Sequence, residues 1–82
     1  MQFEKGQVVI SRAGHDKGEL LVVAGFEDNK VLLCDGKGRG LGSPKRKNPK
    51  HIEPTLTVLD GDSMATNRKI RKMLNKQRTQ EG

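Results

Sequence analysis

The sequence of 82 residues is poor in aromatic side chains, with no tryptophan, no tyrosine and only two phenylalanines, Phe3 and Phe26. Proteins that bind single-stranded nucleic acid usually stack the bases on aromatic rings. Phe3 and Phe26 are more easily explained as core residues than as parts of such a surface. The composition therefore excludes an aromatic platform and favours contacts to phosphates and riboses for any nucleic acid that binds.

Cysteine is equally scarce, since Cys34 is the only one. A single cysteine cannot form an intrachain disulfide, which is typical of a reducing compartment, and Cys34 is best explained as a small buried hydrophobe. His15, Cys34 and His51 are too few and too scattered for a structural zinc site. The longest apolar stretch, residues 20–24, is too short to cross a bilayer, and no apolar leader follows Met1. We expect a cytoplasmic protein without membrane association, metal or cofactor.

Patterns that would support catalysis or nucleotide binding are also missing from the sequence. No Ser–His–Asp arrangement or carboxylate pair stands out, and Asp16 beside His15 is interpreted as a turn feature. The glycine-rich residues 36–43 differ from a P-loop, because Pro44 follows where Gly-Lys-Ser/Thr would open a helix. The sequence therefore predicts that the protein is not an enzyme.

Positive charge is present in excess and is unevenly distributed along the chain. The formal net charge is +6, but residues 1–36 contain four basic and six acidic side chains. Residues 37–51 contain six basic and no acidic ones, residues 52–63 contain three acidic ones, and residues 64–82 contain six basic and one acidic. Solubility does not require this segregation, whereas a polyanionic partner would explain it.

The first third of the chain reads as strands separated by glycine-containing turns. Residues 7–12 predict a strand in one of two frames, and we favour the frame with Val8 and Ile10 facing inward and Gln7, Val9 and Ser11 outward. Residues 13–18 form a turn, because Gly14 and Gly18 can adopt positive φ. The apolar run from Leu20 to Phe26 predicts a strand that is buried on both faces or strongly bent.

Further short strands are predicted at residues 31–34 and 51–53, the second of them stopped by Pro54. Residues 36–43 are either a flexible loop or a strand approached closely by another backbone. Residues 44–50 form an extended, non-helical loop between two prolines. With residues 36–43 counted as a strand, the chain has five short strands without a long helix among them, which suggests a small closed or half-closed barrel. We expect its core to contain Val8, Ile10, Val22, Val31, Leu33 and Ile52.

The C-terminal part of the chain favours a basic helix. Residues 65–78 contain neither glycine nor proline, and residues 60–63 predict a turn that starts the helix. At 100° per residue, one face carries Thr66, Ile70, Met73, Leu74 and Gln77, and the cations lie on the other face. The apolar stripe spans about two turns, so the helix is marginal alone. We therefore divide the chain into a barrel at 1–59 and a basic helical tail at 60–82.

Two segments resemble a known family of RNA-binding proteins. Residues 6–18, with Gly14-x-x-Lys17-Gly18 between apolar strands, are similar to the KOW motif of ribosomal and transcription-elongation proteins. Together with residues 48–55, they resemble the large-subunit ribosomal protein family "L fourteen e" and its short bacterial relatives. The glycine-rich 36–42 segment and the short C-terminal region depart from that pattern. The resemblance implies an SH3-like five-stranded β-barrel that binds ribosomal RNA.

The expected function is a non-enzymatic, RNA-binding one, on structured and in particular ribosomal RNA, as a ribosomal or ribosome-associated protein. Expected partners are RNA and ribosomal proteins, with a monomer when free. The alternative is a KOW barrel that docks on RNA polymerase or another protein as an accessory factor. The resemblance assigns RNA contacts to the turn and to the second basic segment, and charge adds the glycine-rich loop and the tail. The predicted RNA-binding residues are Arg12, His15, Lys17, Lys37, Arg39, Lys45, Arg46, Lys47, Lys50, His51, Arg68, Lys69, Arg71, Lys72, Lys76 and Arg78.

Overall fold

The structure, a computed structural model, describes residues 3–81 and contains one sheet and one α-helix. Its strands are β1 (Gln7–Ser11), β2 (Leu20–Glu27), β3 (Lys30–Cys34), β4 (Lys45–Lys47) and β5 (Ile52–Val58). A 3₁₀ turn at Pro49–His51 joins β4 to β5, and α1 runs from Asn67 to Glu81. The prediction of a mainly β fold with five strands and a C-terminal helix is confirmed.

The five strands form one antiparallel sheet in the order β4-β3-β2-β1-β5. Within residues 3–81, β4 and β5 are the two edges and do not pair with each other, so the sheet is not closed into a barrel. Strand β1 lies between β2 and β5, which places the start and the end of the sheet-forming chain side by side. The glycine turn between β1 and β2 therefore projects near the beginning of β5.

Both faces of the sheet are buried, and each has its own core. The first, the helix-side core, lies under α1 and consists of Val8, Leu20, Val22, Cys34, Leu59, Met64, Ile70 and Leu74. The second, the strand core, consists of Phe3, Val9, Leu21, Val23, Val31, Leu33 and Ile52. Because every member of the strand core except Phe3 lies in a strand, the sheet must curve to cover this face itself.

These two cores explain where the predicted strand orientations succeed and fail. The apolar run in β2 is buried on both faces, as its sequence predicts, because alternate residues enter alternate cores. The inward orientation of Val8 is confirmed, but the prediction that Val9 and Ser11 face outward is wrong, since both are fully buried on the opposite face. Ile10 is only half-buried. Phe3 is a core residue as expected, whereas Phe26 remains 42% exposed.

The last two strands differ from the predicted ones. The segment expected as a basic loop contains β4, which pairs with β3, with Lys47 directly opposite the buried Val31. Strand β5 is not stopped by Pro54, because it is an edge strand, where a missing N–H need not break the ladder. It continues to Val58 through a bulge opposite Val8 that leaves Leu56 fully exposed.

Helix α1 packs on the sheet through the stripe that its periodicity predicts. Ile70 and Leu74 are buried in the helix-side core, and Met73 packs against that core from its margin. The hydroxyl of Thr66 accepts a hydrogen bond from the backbone N–H of Lys69 (3.2 Å) and caps the first turn. The helix is therefore one layer of the fold and completes one of its two cores.

Candidate nucleic-acid interface

The turn between β1 and β2 is compact and presents its charged residues to solvent. Gly14 and Gly18 have φ of 84° and 87°, a backbone conformation that other residues adopt only at a steric cost. The Gly18 N–H donates to the carbonyl of Ser11 (2.8 Å), which closes the turn at its base. His15 and Lys17 are exposed at the tip. The glycines thus have the role that the sequence predicts for them.

Lys47 fixes this turn from beneath and is not a surface cation. Its side chain is 7% exposed, and its ammonium group donates to Ser11 Oγ (2.8 Å), the Ala13 carbonyl (2.6 Å) and Asp16 Oδ1 (2.6 Å). An ammonium group has three N–H donors, and all three are used here. The structure therefore gives Lys47 a structural role in the turn, and its predicted contact with RNA stays a prediction.

Asp16 is the acidic partner that this arrangement needs, and it is more than a turn feature. Its Oδ1 also accepts a hydrogen bond from Ser11 Oγ (2.8 Å), and its Oδ2 lies 3.1 Å from Lys45 Nζ. Partial burial acts to raise the pKa of Asp16, but the hydrogen bonds from Lys47, Ser11 and Lys45 outweigh it and hold the pKa well below its usual range. The carboxylate is therefore ionised wherever the turn is folded at neutral pH.

A shallow depression, which we call the basic concavity, lies between this turn, β4 and the 3₁₀ turn. Its volume is about 490 Å³. No carboxylate lines it among the described residues, and Lys30 enters it from the start of β3 although the sequence did not single that residue out. The residues that line it are Ala13, Gly14, Lys30, Lys45, Arg46, Lys47, Asn48 and His51. The fold thus brings the turn and the second basic segment together on one surface.

The 3₁₀ turn places His51 at the edge of this concavity. Asn48 caps the turn, because its side-chain oxygen accepts from the backbone N–H of Lys50 (3.0 Å), and Pro49 supplies the fixed φ of the first position. The carbonyl of His51 accepts from the backbone N–H of Arg12 (2.7 Å), which ties this segment to the end of β1. The two segments that carry the resemblance are therefore in direct backbone contact.

A second and deeper depression, the helix cleft, lies between the same turn, the glycine-rich loop and α1. Its volume is about 350 Å³, and Lys45 lines both it and the basic concavity. Five lysine or arginine side chains and three carboxylates line the cleft, so two positive charges are in excess. The lining consists of His15, Asp16, Glu19, Leu21, Asp35, Lys37, Gly38, Arg39, Lys45, Arg71, Leu74, Asn75 and Arg78.

The glycine-rich loop is held against the first turn of α1. Gly36 has φ of 75°, and a Cβ atom there would lie 2.1 Å from the Asn67 carbonyl oxygen. The Asn67 side chain accepts from the backbone N–H of Leu41 (2.7 Å). Of the two interpretations left open, a loop is observed, but it is one that another backbone approaches closely at Gly36. The loop is therefore positioned by the helix.

The cations of α1 are divided between two sides of the helix. Arg71 and Arg78 line the helix cleft, and Arg78 lies 3.3 Å from Glu19 of the turn across the cleft. Arg68, Lys72 and Lys76, four residues apart, are exposed on the outer side. Hence the helix does not present all its charge to one surface, as a single basic face would.

The predicted RNA-binding residues therefore fall into three groups. Lys45, Arg46, Lys47 and His51 line the basic concavity, and Lys45 also lines the helix cleft together with His15, Lys37, Arg39, Arg71 and Arg78. The remaining ones lie outside both depressions, namely Arg12, Lys17, Lys50, Arg68, Lys69, Lys72 and Lys76. Several cations have acidic neighbours: Arg12 pairs with Glu53, Arg46 with Glu27 (2.9 Å) and Lys69 with Asp62 (3.1 Å).

Other kinds of site find little support in residues 3–81. No group of three or more His, Cys, Asp or Glu side chains is placed to hold a metal ion there. Cys34 is fully buried, as predicted. Its burial, and to a smaller extent the nearby Asp35 carboxylate, raises the pKa of its thiol. The described part of the chain contains no helix long and apolar enough to cross a membrane. When compared with models of known protein families, the sequence matches none of them.

Proposed function

We propose that this protein is a non-enzymatic RNA-binding protein that docks on structured RNA, with ribosomal RNA as the expected target. The observation that carries the proposal is the basic concavity. Two segments about 35 residues apart in the sequence form one surface there, and no carboxylate among the described residues lines it. A basic depression without a lining carboxylate attracts a polyanion, because its four lysine and arginine side chains outnumber the two carboxylates that pair with them, Asp16 and Glu27.

The rest of the molecule supports RNA as that polyanion. The resemblance to KOW proteins implies RNA, and the antiparallel order β4-β3-β2-β1-β5 with a single 3₁₀ turn between the edge strands supports the SH3-like architecture that it implies. The scarcity of aromatic residues favours contacts to the backbone and to shape over base stacking. The ion pair between Arg46 and Glu27 joins two exposed side chains, so a phosphate can replace it at little cost.

Replacement of cations in the basic concavity tests this proposal. We expect Lys30→Gln/Arg46→Gln to weaken binding to a ribosomal RNA fragment about 10-fold and to reduce the log–log salt slope by about 0.7–0.9 per lost contact. Thermal unfolding should be nearly unchanged, because both side chains are exposed. The matched control compares Lys5→Gln with Lys30→Gln. Lys5 is also an exposed lysine, but it lies beside a different groove, which Leu59 and Met64 help to line. Equal affinities and slopes for all these variants would remove the concavity from the interface.

A second candidate function is docking on a protein, and one observation favours it. Leu56 is fully exposed at the bulge of β5, and hydrogen bonds brace that bulge. The Thr55 hydroxyl donates to the Val8 carbonyl (2.7 Å) and accepts from the backbone N–H of Thr57 (3.2 Å). A leucine held in a fixed position away from the core is suited to an apolar pocket of a partner such as RNA polymerase.

Salt separates the two candidate functions. Apolar docking through Leu56 should survive high salt and be lost in Leu56→Ser, whereas RNA binding should weaken steeply with salt and be unaffected by that substitution. Purified RNA polymerase and a ribosomal RNA fragment, each titrated at low and high salt, give the readout. If polymerase does not bind, or binds equally well to Leu56→Ser, the second candidate is refuted.

A further inference from the structure

We propose that the helix cleft holds one unpaired nucleotide of the bound RNA, and that Asp35 selects bases that carry an exocyclic amino group. This inference rests on the proposed RNA-binding function and deepens it. The concavity accounts for affinity to the backbone, and the cleft would add a preference for a bulged or looped nucleotide with particular bases.

The dimensions of the cleft suit one nucleotide. Its volume of about 350 Å³ is at the small end of the range for small-ligand pockets, about 300–1,000 Å³. An RNA duplex is too wide to enter a pocket of this size, whereas a single base turned out of a bulge or loop can do so. Leu21 and Leu74 contribute to its lining, but each is only 2% exposed, so a base would contact chiefly the polar and charged side chains around them.

The charge of the cleft suits the backbone on either side of that base. Two of its five cations are paired, Lys45 with Asp16 and Arg78 with Glu19. The side chains of Lys37, Arg39 and Arg71 have no ion pair or hydrogen bond within the described residues. The excess of two positive charges matches the two phosphates that flank one nucleoside. A guanidinium group can also stack on a base where no aromatic ring is present.

Asp35 provides the acceptor that a purely basic surface lacks. Its Oδ1 accepts from the backbone N–H groups of Lys37 (2.8 Å) and Arg39 (2.9 Å), which fixes the carboxylate at the mouth of the glycine-rich loop. Its Oδ2 accepts no hydrogen bond from the residues that the structure describes. A carboxylate oxygen accepts from base amino groups, as it does from cytosine N4. Uracil has no amino group and should be the least favoured base.

The two depressions are connected, so one RNA can occupy both. Lys45 lines the concavity on one side and the cleft on the other. A backbone that crosses the concavity therefore reaches the cleft at Lys45.

The inference is tested with one RNA hairpin in five versions, fully paired or with a single bulged A, C, G or U, by fluorescence anisotropy at fixed salt. We expect the A, C and G bulges to bind about fivefold or more tightly than the U bulge and the paired hairpin. Asp35→Asn should abolish the preference among bases, because asparagine keeps the acceptor oxygen for the loop but presents an amide donor to the base. Retention of the preference in Asp35→Asn would overturn the role of Asp35.

A matched pair of arginines on α1 tests the cleft independently of Asp35. Arg71 lines the cleft and Arg68 does not, although both are exposed arginines of the same helix. We expect Arg71→Gln to weaken binding of the bulged hairpins about fivefold more than binding of the paired one, and Arg68→Gln to weaken both equally. If all five hairpins bind wild-type protein alike, the cleft inference fails while RNA binding stands. If none binds, the proposed function fails as well.

Discussion

The basic concavity and the helix cleft are neighbouring depressions with net positive linings, but they are built in different ways. The concavity is formed within the sheet by the β1–β2 turn, β4 and the 3₁₀ turn, and the buried Lys47 anchors it. The cleft is formed between layers, where sheet loops meet α1, and a surface ion pair between Glu19 and Arg78 spans it. One depression thus depends on a buried charge pair and the other on the docking of a helix.

This difference matches a difference in what each surface can recognise. The concavity presents cations without a lining carboxylate, which favours any phosphate backbone regardless of sequence. The cleft mixes cations with the carboxylates of Asp16, Glu19 and Asp35, which is the basis of the base selection proposed above. Under the proposed function, affinity and selectivity would have different structural supports, which share only Lys45 and Asp16.

The largest expected effect concerns the docking of the helix. Leu74 is buried in the helix-side core and also lines the cleft. We expect Leu74→Ala to lower the free energy of unfolding by about 2–4 kcal/mol, because it leaves a cavity against the sheet. Urea denaturation measures this loss. Met73→Ala is the control, because Met73 is only half-buried at the margin of the same helix, and it should lower the free energy of unfolding clearly less. A loss below about 1 kcal/mol for Leu74→Ala would show that the helix is not part of the cooperative unit.

The next effect concerns the anchor of the concavity. Asp16→Asn leaves the ammonium group of Lys47 buried with neutral acceptors only, so we expect a loss of about 2–3 kcal/mol, somewhat below the usual loss for a fully buried pair because Asp16 is partly exposed. Asp62→Asn is the control, since Asp62 pairs with Lys69 at the surface. Losses that are equal for the two substitutions would mean that the Lys47–Asp16 pair adds nothing to the turn.

The same anchor predicts the acid dependence of stability. The folded state holds the pKa of Asp16 below its value in the unfolded chain, so its contribution is fully present above that value. Stability should therefore fall as the pH is lowered below about 4, the usual aspartate range, and continue to fall toward the lower folded-state value. Unfolding free energies from pH 7 down to pH 2 measure this loss. In Asp16→Asn the slope should be shallower across that interval, and an unchanged slope would refute the assignment.

The smallest effect is expected at the ion pair across the cleft. Both Glu19 and Arg78 are more than half exposed, and such pairs contribute little. We expect Glu19→Gln to change the free energy of unfolding by less than about 0.5 kcal/mol. Thermal unfolding at low and high salt provides the measurement. A loss as large as that of Asp16→Asn would mean that the cleft, like the concavity, depends on a charge pair.

Local patterns predicted the parts of the fold that local physics determines. Glycines 14 and 18 mark the turn because positive φ is needed there, and the stripe with Ile70 and Leu74 marks the buried side of the helix. Three consecutive apolar residues in β1 already indicated burial on both faces, but the rule of alternation assigned Val9 outward. Alternation fails for a strand whose two faces both meet a core.

The burial of Lys47 could not be predicted in the same way. Lys45, Arg46 and Lys47 are consecutive cations, and nothing in their sequence separates the buried one from its neighbours. The separation depends on Asp16, 31 residues earlier, and on the register that places Lys47 opposite Val31. Lys30 was missed for a related reason, since a single cation in a polar turn carries no signal until the fold places it beside β4.

The position of β1 between β2 and β5 has a consequence for folding. The pairing with β2 is local, but Gln7 pairs with Val58, and this contact must wait until almost the whole sheet has been synthesised. Contacts between residues so distant along the chain form slowly, because closing a long loop is entropically unfavourable. During synthesis the pairing that holds the β1–β2 turn beside the 3₁₀ turn is therefore completed only when β5 is available. The basic concavity, which lies beside the start of β5, is therefore among the last features of the molecule to form.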